Sequence, residues 1–132
     1  MKAVLVGLAI DVGGSLLFGA VVGILYAASL ASSGMNEQEI AKALANIQTG
    51  SWAYVVGTLA GAVLSFLGGF SCARIAQRAD YRLGLVLAVL SAGSGLALSW
   101  EAYAPMQNVL LTLSTAACVL LGTKYGRVAP KA

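Results

Sequence analysis

The stretch VLVGLAIDVGGSLLFGAVVGILYAASL, residues 4–30, decides the fold of this chain. It contains one charged side chain, that of Asp11. As a helix it would be about 40 Å long, longer than the roughly 30 Å of a bilayer's hydrocarbon core. The stretch therefore predicts a transmembrane helix that tilts or protrudes. Because Asp11 interrupts the apolar core that a cleaved signal peptide would need, we expect this helix to be retained.

Three more apolar runs follow, at residues 52–73, 83–100 and 106–122. The whole chain is 59% hydrophobic and only 10% charged, whereas about a quarter of a soluble protein is charged. We therefore predict an all-α membrane protein, a single domain over residues 1–132. Its four transmembrane helices would lie at about 4–30, 52–73, 83–100 and 106–122.

The basic residues predict how the helices are oriented. Seven of them fall on one side of the predicted spans, and only Lys42 falls on the other: Lys2, Arg74, Arg78, Arg82, Lys124, Arg127 and Lys131. The positive-inside rule then places both termini in the cytoplasm of a multi-pass protein of the plasma membrane. We call Arg74, Arg78, Arg82, Lys124 and Arg127 the basic rim. It favours contact with anionic lipid headgroups, and recognition of an acidic partner is the alternative.

The only sizeable extracytoplasmic loop, residues 32–51, has the pattern of a short helix. Asn36 and Glu39 have the spacing of a capping box, and Met35 and Ile40 that of a hydrophobic staple. A helix over about 37–48 would have one apolar face, formed by Ile40, Leu44 and Ile47. We expect it to lie on the outer membrane surface, either as a lid on the bundle or as a docking site for a partner.

Stripes of small residues at four-residue steps predict how the helices pack. The first helix has Ser15, Gly19 and Gly23 in such a stripe, and the second has Gly57, Gly61, Ser65 and Gly69. Small side chains let helix backbones approach closely in lipid. We therefore expect a tight hairpin of the first two helices, with a pore lining or homodimer seam as the alternative role.

Asp11 is the one acidic residue inside a predicted span, and it continues the stripe that contains Ser15. A charge at the centre of a bilayer costs about 2.5–3.5 kcal/mol or more. Three roles remain open for it: an ion pair, for which Arg74 is the nearest candidate; a proton or cation carrier; and a hydrogen bond to Ser or Gln side chains. Asp11, Ser15 and Arg74 therefore form our candidate intramembrane polar site.

Other residue types exclude several functions. The chain has no His, which removes the commonest general base and metal ligand. We expect the two cysteines, Cys72 and Cys118, to be reduced, since both lie in apolar runs. No nucleophile and base stand together, so we expect no enzymatic activity, no catalytic residue, no metal and no cofactor. The positive charge is explained by topology, so no nucleic acid is expected.

Two motifs give a resemblance. The segments Asp11-Val12-Gly13-Gly14-Ser15 and Gly68-Gly69-Phe70-Ser71-Cys72-Ala73-Arg74-Ile75-Ala76 resemble a family of small bacterial four-helix membrane proteins. That family has D-[VI]-G-G-S in its first helix and G-G-[FY]-x-x-A-R-x-A before a basic loop. The resemblance covers about the first 95 residues. It implies a bacterial inner-membrane location, and the family brings no established activity.

The sequence therefore favours a non-enzymatic accessory, assembly or scaffolding subunit that acts through helix contacts. It would be a homo-oligomer or one subunit of a larger membrane complex. The alternative is a small oligomeric channel or proton-coupled transporter that uses Asp11.

Overall fold

The computed structural model describes residues 2–46, 50–76, 81–100 and 104–126, and every element in these ranges is helical. The elements are α1 (Lys2–Leu8), a π-helix (Ala9–Gly13), α2 (Gly14–Ser32), α3 (Glu37–Ala45), α4 (Trp52–Ala76), α5 (Tyr81–Ser99) and α6 (Pro105–Gly126). Four spans are long and apolar enough to cross a membrane: Lys2–Ser32, Trp52–Ala76, Arg82–Ser99 and Pro105–Gly126. The prediction of an all-α chain with four such helices is confirmed.

The first span is one continuous rod, in which α1, the π-helix and α2 follow each other without a loop. A π-helix is rare and usually inserts a single wide turn into an α-helix. Here it includes Asp11, Gly13 and the residues between them. The acidic residue therefore lies at an irregularity of the backbone.

Large and small side chains are distributed as lipid requires. Large apolar side chains cover the outside of the bundle, among them Leu17, Ile24, Leu113 and Met106. The fully buried side chains are fewer, and the largest are those of Leu87, Val119 and Cys72. Since lipid solvates apolar side chains well, the inside of such a bundle is left to small residues and close backbone contacts. Cys72 and Cys118 are free thiols, as expected.

The helices are packed most closely where α1 begins and α6 ends, which we call the termini end. There α4 and α6 touch through backbone atoms. A Cβ atom added to Gly122 would collide with the carbonyl oxygen of Phe66, and one added to Gly69 would collide with that of Val119. Gly126 meets the carbonyl of Phe70 in the same way. The seam of the bundle is therefore the α4 and α6 pair.

The first span meets α4 through a second pair of glycines. A Cβ added to Gly7 would lie 2.9 Å from the carbonyl oxygen of Gly68, and one added to Gly68 would lie 2.8 Å from that of Gly7. The predicted contact between the first two spans therefore exists, but on the first span it lies at Gly7, about two turns nearer the termini end than Ser15, where the predicted stripe begins.

The expected seam through the glycine stripes is wrong. Around Gly19, Gly23, Gly57 and Gly61, no atom lies within 4 Å of the position that a Cβ would take. Gly69 does pack tightly, but against α6. At the opposite end of the bundle, where α2 turns into α3, the helices are therefore separated by open space. We call this the loop end.

The loop helix α3 begins as the sequence predicts. The Asn36 side chain accepts a hydrogen bond from the backbone N–H of Glu39 at 2.9 Å, and the Asn36 N–H donates to the Glu39 carboxylate at 3.0 Å. Ile40 and Leu44 are half-buried, and α3 contacts α2. The described helix ends at Ala45, and Ile47 of the predicted apolar face lies outside the described residues.

The last helix begins one residue before the predicted span of 106–122 and ends four residues after it. Pro105 is the first residue of α6, where its missing N–H costs no hydrogen bond. Gly122 was expected at the helix end, yet α6 continues to Gly126. Gly122 serves instead as a contact for α4, as described above.

Candidate functional site: a buried acid at the base of a cavity

The Asp11 carboxyl group is buried between the first span and α4. Asp11 is 4% exposed and Ser65 is 3% exposed. The Ser65 hydroxyl donates a hydrogen bond to Oδ1 of Asp11, with 2.6 Å between the oxygens. This distance lies within the range of O–H···O hydrogen bonds in proteins. Of the three roles considered for Asp11, the hydrogen bond to a serine is therefore the one present in the structure.

Local backbone geometry brings these two side chains together. Asp11 lies in the π-helix, whose wide turn changes the direction of side chains relative to an α-helix. On α4, Gly68 lies one turn after Ser65, and a Cβ at Gly68 would be 3.1 Å from the Asp11 Cβ. The missing side chain of Gly68 thus leaves room for Asp11 beside α4.

The ion pair with Arg74, one of the three roles left open for Asp11, is not formed. Arg74 is exposed near the end of α4, and its guanidinium carbon lies 5.2 Å from the centre of the Phe70 ring. That distance is typical of a cation–π contact. Within the described residues no cationic side chain forms a salt bridge with Asp11, so the carboxylate has a hydroxyl partner and no countercharge.

Asp11 lies at the inner end of a cavity of about 370 Å³. Its lining residues on the first span run from Asp11 to Gly23, which is about 18 Å along a helix axis. On α4 the lining runs from Ser65 to Ala53. The cavity therefore extends from the middle of the bundle through its loop-end half, where the helices are separated.

The glycine stripes form one wall of this cavity, and hydroxyl groups are spread along it. The lining includes Gly19, Gly23, Gly57, Gly61, Ser15, Thr58, Ser65, Ser91, Ser114 and Thr115. Apolar side chains such as Val22, Leu98 and Leu111 make up much of the rest. A cavity with mostly apolar walls and a few polar groups is typical of a small-molecule site.

Ser91 is the most unusual of these hydroxyls. It is 2% exposed, it lines the cavity, and its Oγ has no hydrogen-bond partner in the described part of the chain. A buried hydroxyl without a partner costs about 1–3 kcal/mol. Among the described residues, the lining of the cavity therefore includes both a carboxyl group without a countercharge and a hydroxyl without a hydrogen bond.

The structure thus separates the predicted site residues into two groups. Asp11, Ser15 and Ser65 come together with the four open glycines at the cavity. Arg74 and Gly69 do not line it. In the basic rim, Arg74, Arg82 and Lys124 are exposed, while Arg78 and Arg127 lie outside the described residues.

The sequence places Ser91 in a weaker stripe of small residues on the third span, but gives it no functional role. Ser91, Gly95 and Ser99 repeat at four-residue steps on the third span. Ser91 and Gly95 both line the cavity, and the Ser99 hydroxyl donates to Oδ1 of Asn108 at 2.8 Å. A stripe of small residues on one helix indicates which face points inward, but not whether a partner fills the space.

No cluster of three or more His, Cys, Asp or Glu side chains suited to a metal occurs among the described residues. Comparison with protein-family models, with curated proteins and with solved structures finds no match for this chain.

Proposed function

We propose that this chain is a small cation transporter, in which Asp11 binds the transported or coupling cation inside the cavity. The supporting observation is the buried Asp11 carboxyl group, which has Ser65 as a partner and no countercharge among the residues that the structure describes. This is the carrier role among the alternatives for Asp11, and the cavity within a single chain supports it without an oligomer.

The proposal is supported by comparing the free-energy cost of a charge in the bilayer with the contribution of one hydrogen bond. Placing an acidic residue inside a bilayer costs about 2.5–3.5 kcal/mol or more. Side-chain hydrogen bonds between membrane helices contribute about 0.6 kcal/mol on average and about 1.7 at most. One hydrogen bond from Ser65 therefore does not offset the cost of the charge, and a proton or cation from the surroundings would.

The same proposal includes a location and an orientation. The positive-inside rule puts the basic rim and both termini in the cytoplasm, and the resemblance favours the bacterial inner membrane. In that orientation the termini end is cytoplasmic and the cavity lies in the outer half of the bilayer. Asp11 then takes its cation from the outer side.

The test is a flux measurement in reconstituted vesicles. A trapped dye reports proton entry under an imposed pH gradient and, in a separate arm, sodium entry under an imposed sodium gradient. We expect the protein to accelerate the entry of one of these ions, and Asp11→Asn to return entry to the rate of protein-free vesicles. Glu37→Gln, which neutralises an acid outside the cavity, should keep the full rate. Wild-type vesicles that are no faster than protein-free vesicles in both arms would contradict the proposal.

The subunit function that the sequence favours is the competing hypothesis. It predicts a stable foreign partner after purification in mild detergent and no ion flux from the purified chain alone. The open space beside the glycine stripes favours transport, because helix faces used for assembly would be expected to offer a surface instead of a cavity.

A further inference from the structure

We propose that the base of the cavity binds the head group of a small primary ammonium compound whose apolar body lies along the glycine wall. The head group would contact Asp11 and Ser91. This inference rests on the proposed function at one point, namely that Asp11 accepts a cation.

The first argument is the hydrogen-bonding capacity at the base. Ser65 occupies one lone pair of Oδ1 of Asp11, and among the described residues it is the only donor to this carboxyl group. Ser91 has a buried oxygen without a partner in the described part of the chain. An ammonium group has three donors and no acceptor, so it can bind a carboxylate oxygen and a hydroxyl oxygen together. Such a ligand would satisfy the two groups that the protein leaves incomplete.

The second argument distinguishes an ammonium from a guanidinium. A guanidinium prefers to bind both oxygens of a carboxylate with its planar fork. The hydrogen bond from Ser65 already occupies Oδ1 of Asp11, so a guanidinium would compete with it. An ammonium is a compact cation without this requirement.

The third argument is size. One water molecule takes up about 30 Å³ in the liquid, and the cavity is about 370 Å³. A bare ion at Asp11 would leave most of it empty. The space beyond the base is bordered by the open faces of Gly19, Gly57 and Gly61 and by apolar side chains. Because Asp11 is the only charged residue among the described residues that line the cavity, the rest of the ligand should be apolar and uncharged.

The experiment measures binding of 2-phenylethylammonium by calorimetry in nanodiscs of phosphatidylcholine and phosphatidylglycerol, whose head groups have no primary amine. Three relatives of similar size are the comparison ligands: 2-phenylethanol, 3-phenylpropionate and 2-phenylethylguanidinium. We expect saturable binding of the ammonium compound at one per chain. The neutral and anionic compounds should bind at least about tenfold more weakly, since each 1.4 kcal/mol lost is a factor of ten. The guanidinium should also be weaker.

Two kinds of variant test the site. Asp11→Asn should weaken ammonium binding by about tenfold or more, and Ser91→Ala by roughly three- to tenfold, since each removes an acceptor for the cation. Gly61→Leu keeps both acceptors but should abolish binding by filling the cavity. Gly93→Leu is its matched control, because Gly93 also has no atom near its Cβ position and does not line this cavity. Each variant is first checked for helical content and monodisperse elution.

The outcomes separate this inference from the proposed function. Equal binding of the alcohol and the ammonium compound, or unchanged binding in Asp11→Asn, overturns the inference. Failure to bind any amine while Asp11-dependent ion flux persists overturns the inference alone. Asp11-dependent amine binding without any flux supports the inference and overturns transport as the function.

Discussion

At the residue scale, Asp11 shows how a membrane carboxylate is accommodated by small groups. Gly68 leaves space for its Cβ, and Ser65 donates to its Oδ1. Both belong to α4, so a single helix face supplies the room and the hydrogen bond. The charge itself remains uncompensated by any described side chain. The site is therefore organised to hold a carboxylate in position and not to neutralise it.

The Asp11 and Ser65 pair should be coupled energetically, and the Asp11 and Arg74 pair should not. In a double-mutant cycle of Asp11→Asn and Ser65→Ala, we expect a coupling of about 1 kcal/mol, within the range for hydrogen bonds between membrane helices. The measurement is the free energy of unfolding in mixed micelles. The same cycle with Arg74→Gln should give no coupling. A coupling to Arg74 as large as that to Ser65 would show that the carboxylate reaches the end of α4.

The sequence could predict the depth of this site but not its partner. Asp11 lies nine residues after the start of the first span, and Ser65 lies eleven residues before the end of the second. In antiparallel helices these positions are about 14 and 17 Å from the same end, so the pairing is consistent with simple arithmetic. Arg74 lies only about 3 Å from that end, so depth separates it from Asp11. The rotation of the helices then decides which residue of α4 at the right depth faces Asp11, and the π-helix that contributes to this rotation has no sequence signature.

At the element scale, glycines of the same spacing have two different roles. Gly69, Gly122 and Gly126 allow α4 and α6 to touch at the termini end, while Gly57 and Gly61 border the cavity. A four-residue repeat therefore identifies a helix face that lies inside the bundle. It does not determine whether backbone or empty space lies opposite.

The same substitution should have opposite effects at these two kinds of glycine. Gly122→Ala would push a methyl group into the Phe66 carbonyl, which belongs to a helix backbone and cannot rotate away. We expect a loss of about 1–3 kcal/mol, the usual cost of overpacking. Gly61→Ala meets open space and replaces the poorer helix former, so stability should be unchanged or slightly higher. The measurement is the thermal unfolding midpoint in detergent. Equal losses in the two variants would mean that the cavity closes in solution.

The apolar runs predict the number of helices and their approximate bounds. They do not predict which two helices pack most tightly. Gly122 and Gly126 have the spacing of a G-x-x-x-G pair, like Gly57 and Gly61. The predicted span stops at Gly122, because the apolar run is followed by Thr123, Lys124 and Arg127. The helix instead extends past its apolar core by one turn, and this extra turn completes the seam with α4.

At the scale of the whole molecule, the bundle has a packed half and an open half. The core residues Ala3, Val4, Cys72, Leu87, Ala88 and Val119 all lie toward the termini end. Glycine contacts with backbone carbonyls close the same end. The cavity occupies the other half and ends at Asp11. Any opening of the termini end must separate helices that touch through their backbones, so we expect the loop-end half to be the part that admits a ligand.

The orientation of the molecule is tested by cysteine labelling in intact cells, after Cys72 and Cys118 are replaced by Ala. Ser33 is exposed at the loop end, and Lys124 is exposed at the termini end. We expect an impermeant maleimide to label Ser33→Cys from outside and to label Lys124→Cys only after the membrane is permeabilised. The reverse pattern would place the basic rim outside and would direct the cavity toward the cytoplasm.

The division into halves predicts how far water enters from outside, and the native thiol Cys72 provides an internal standard. Cys72 has no exposed surface and belongs to the packed core, whereas Thr58 lines the cavity. In a Cys118→Ala protein with Thr58→Cys added, we expect an impermeant maleimide to modify position 58 readily. It should leave Cys72 unmodified until the protein is denatured.

Both sites are on α4, about two turns either side of Ser65. Any difference between their rates of modification therefore reports how strongly the protein around Asp11 blocks the entry of the reagent. Comparable rates at the two sites would mean that water passes Asp11 to the termini end, which is the behaviour of a channel and not of a transporter closed on one side.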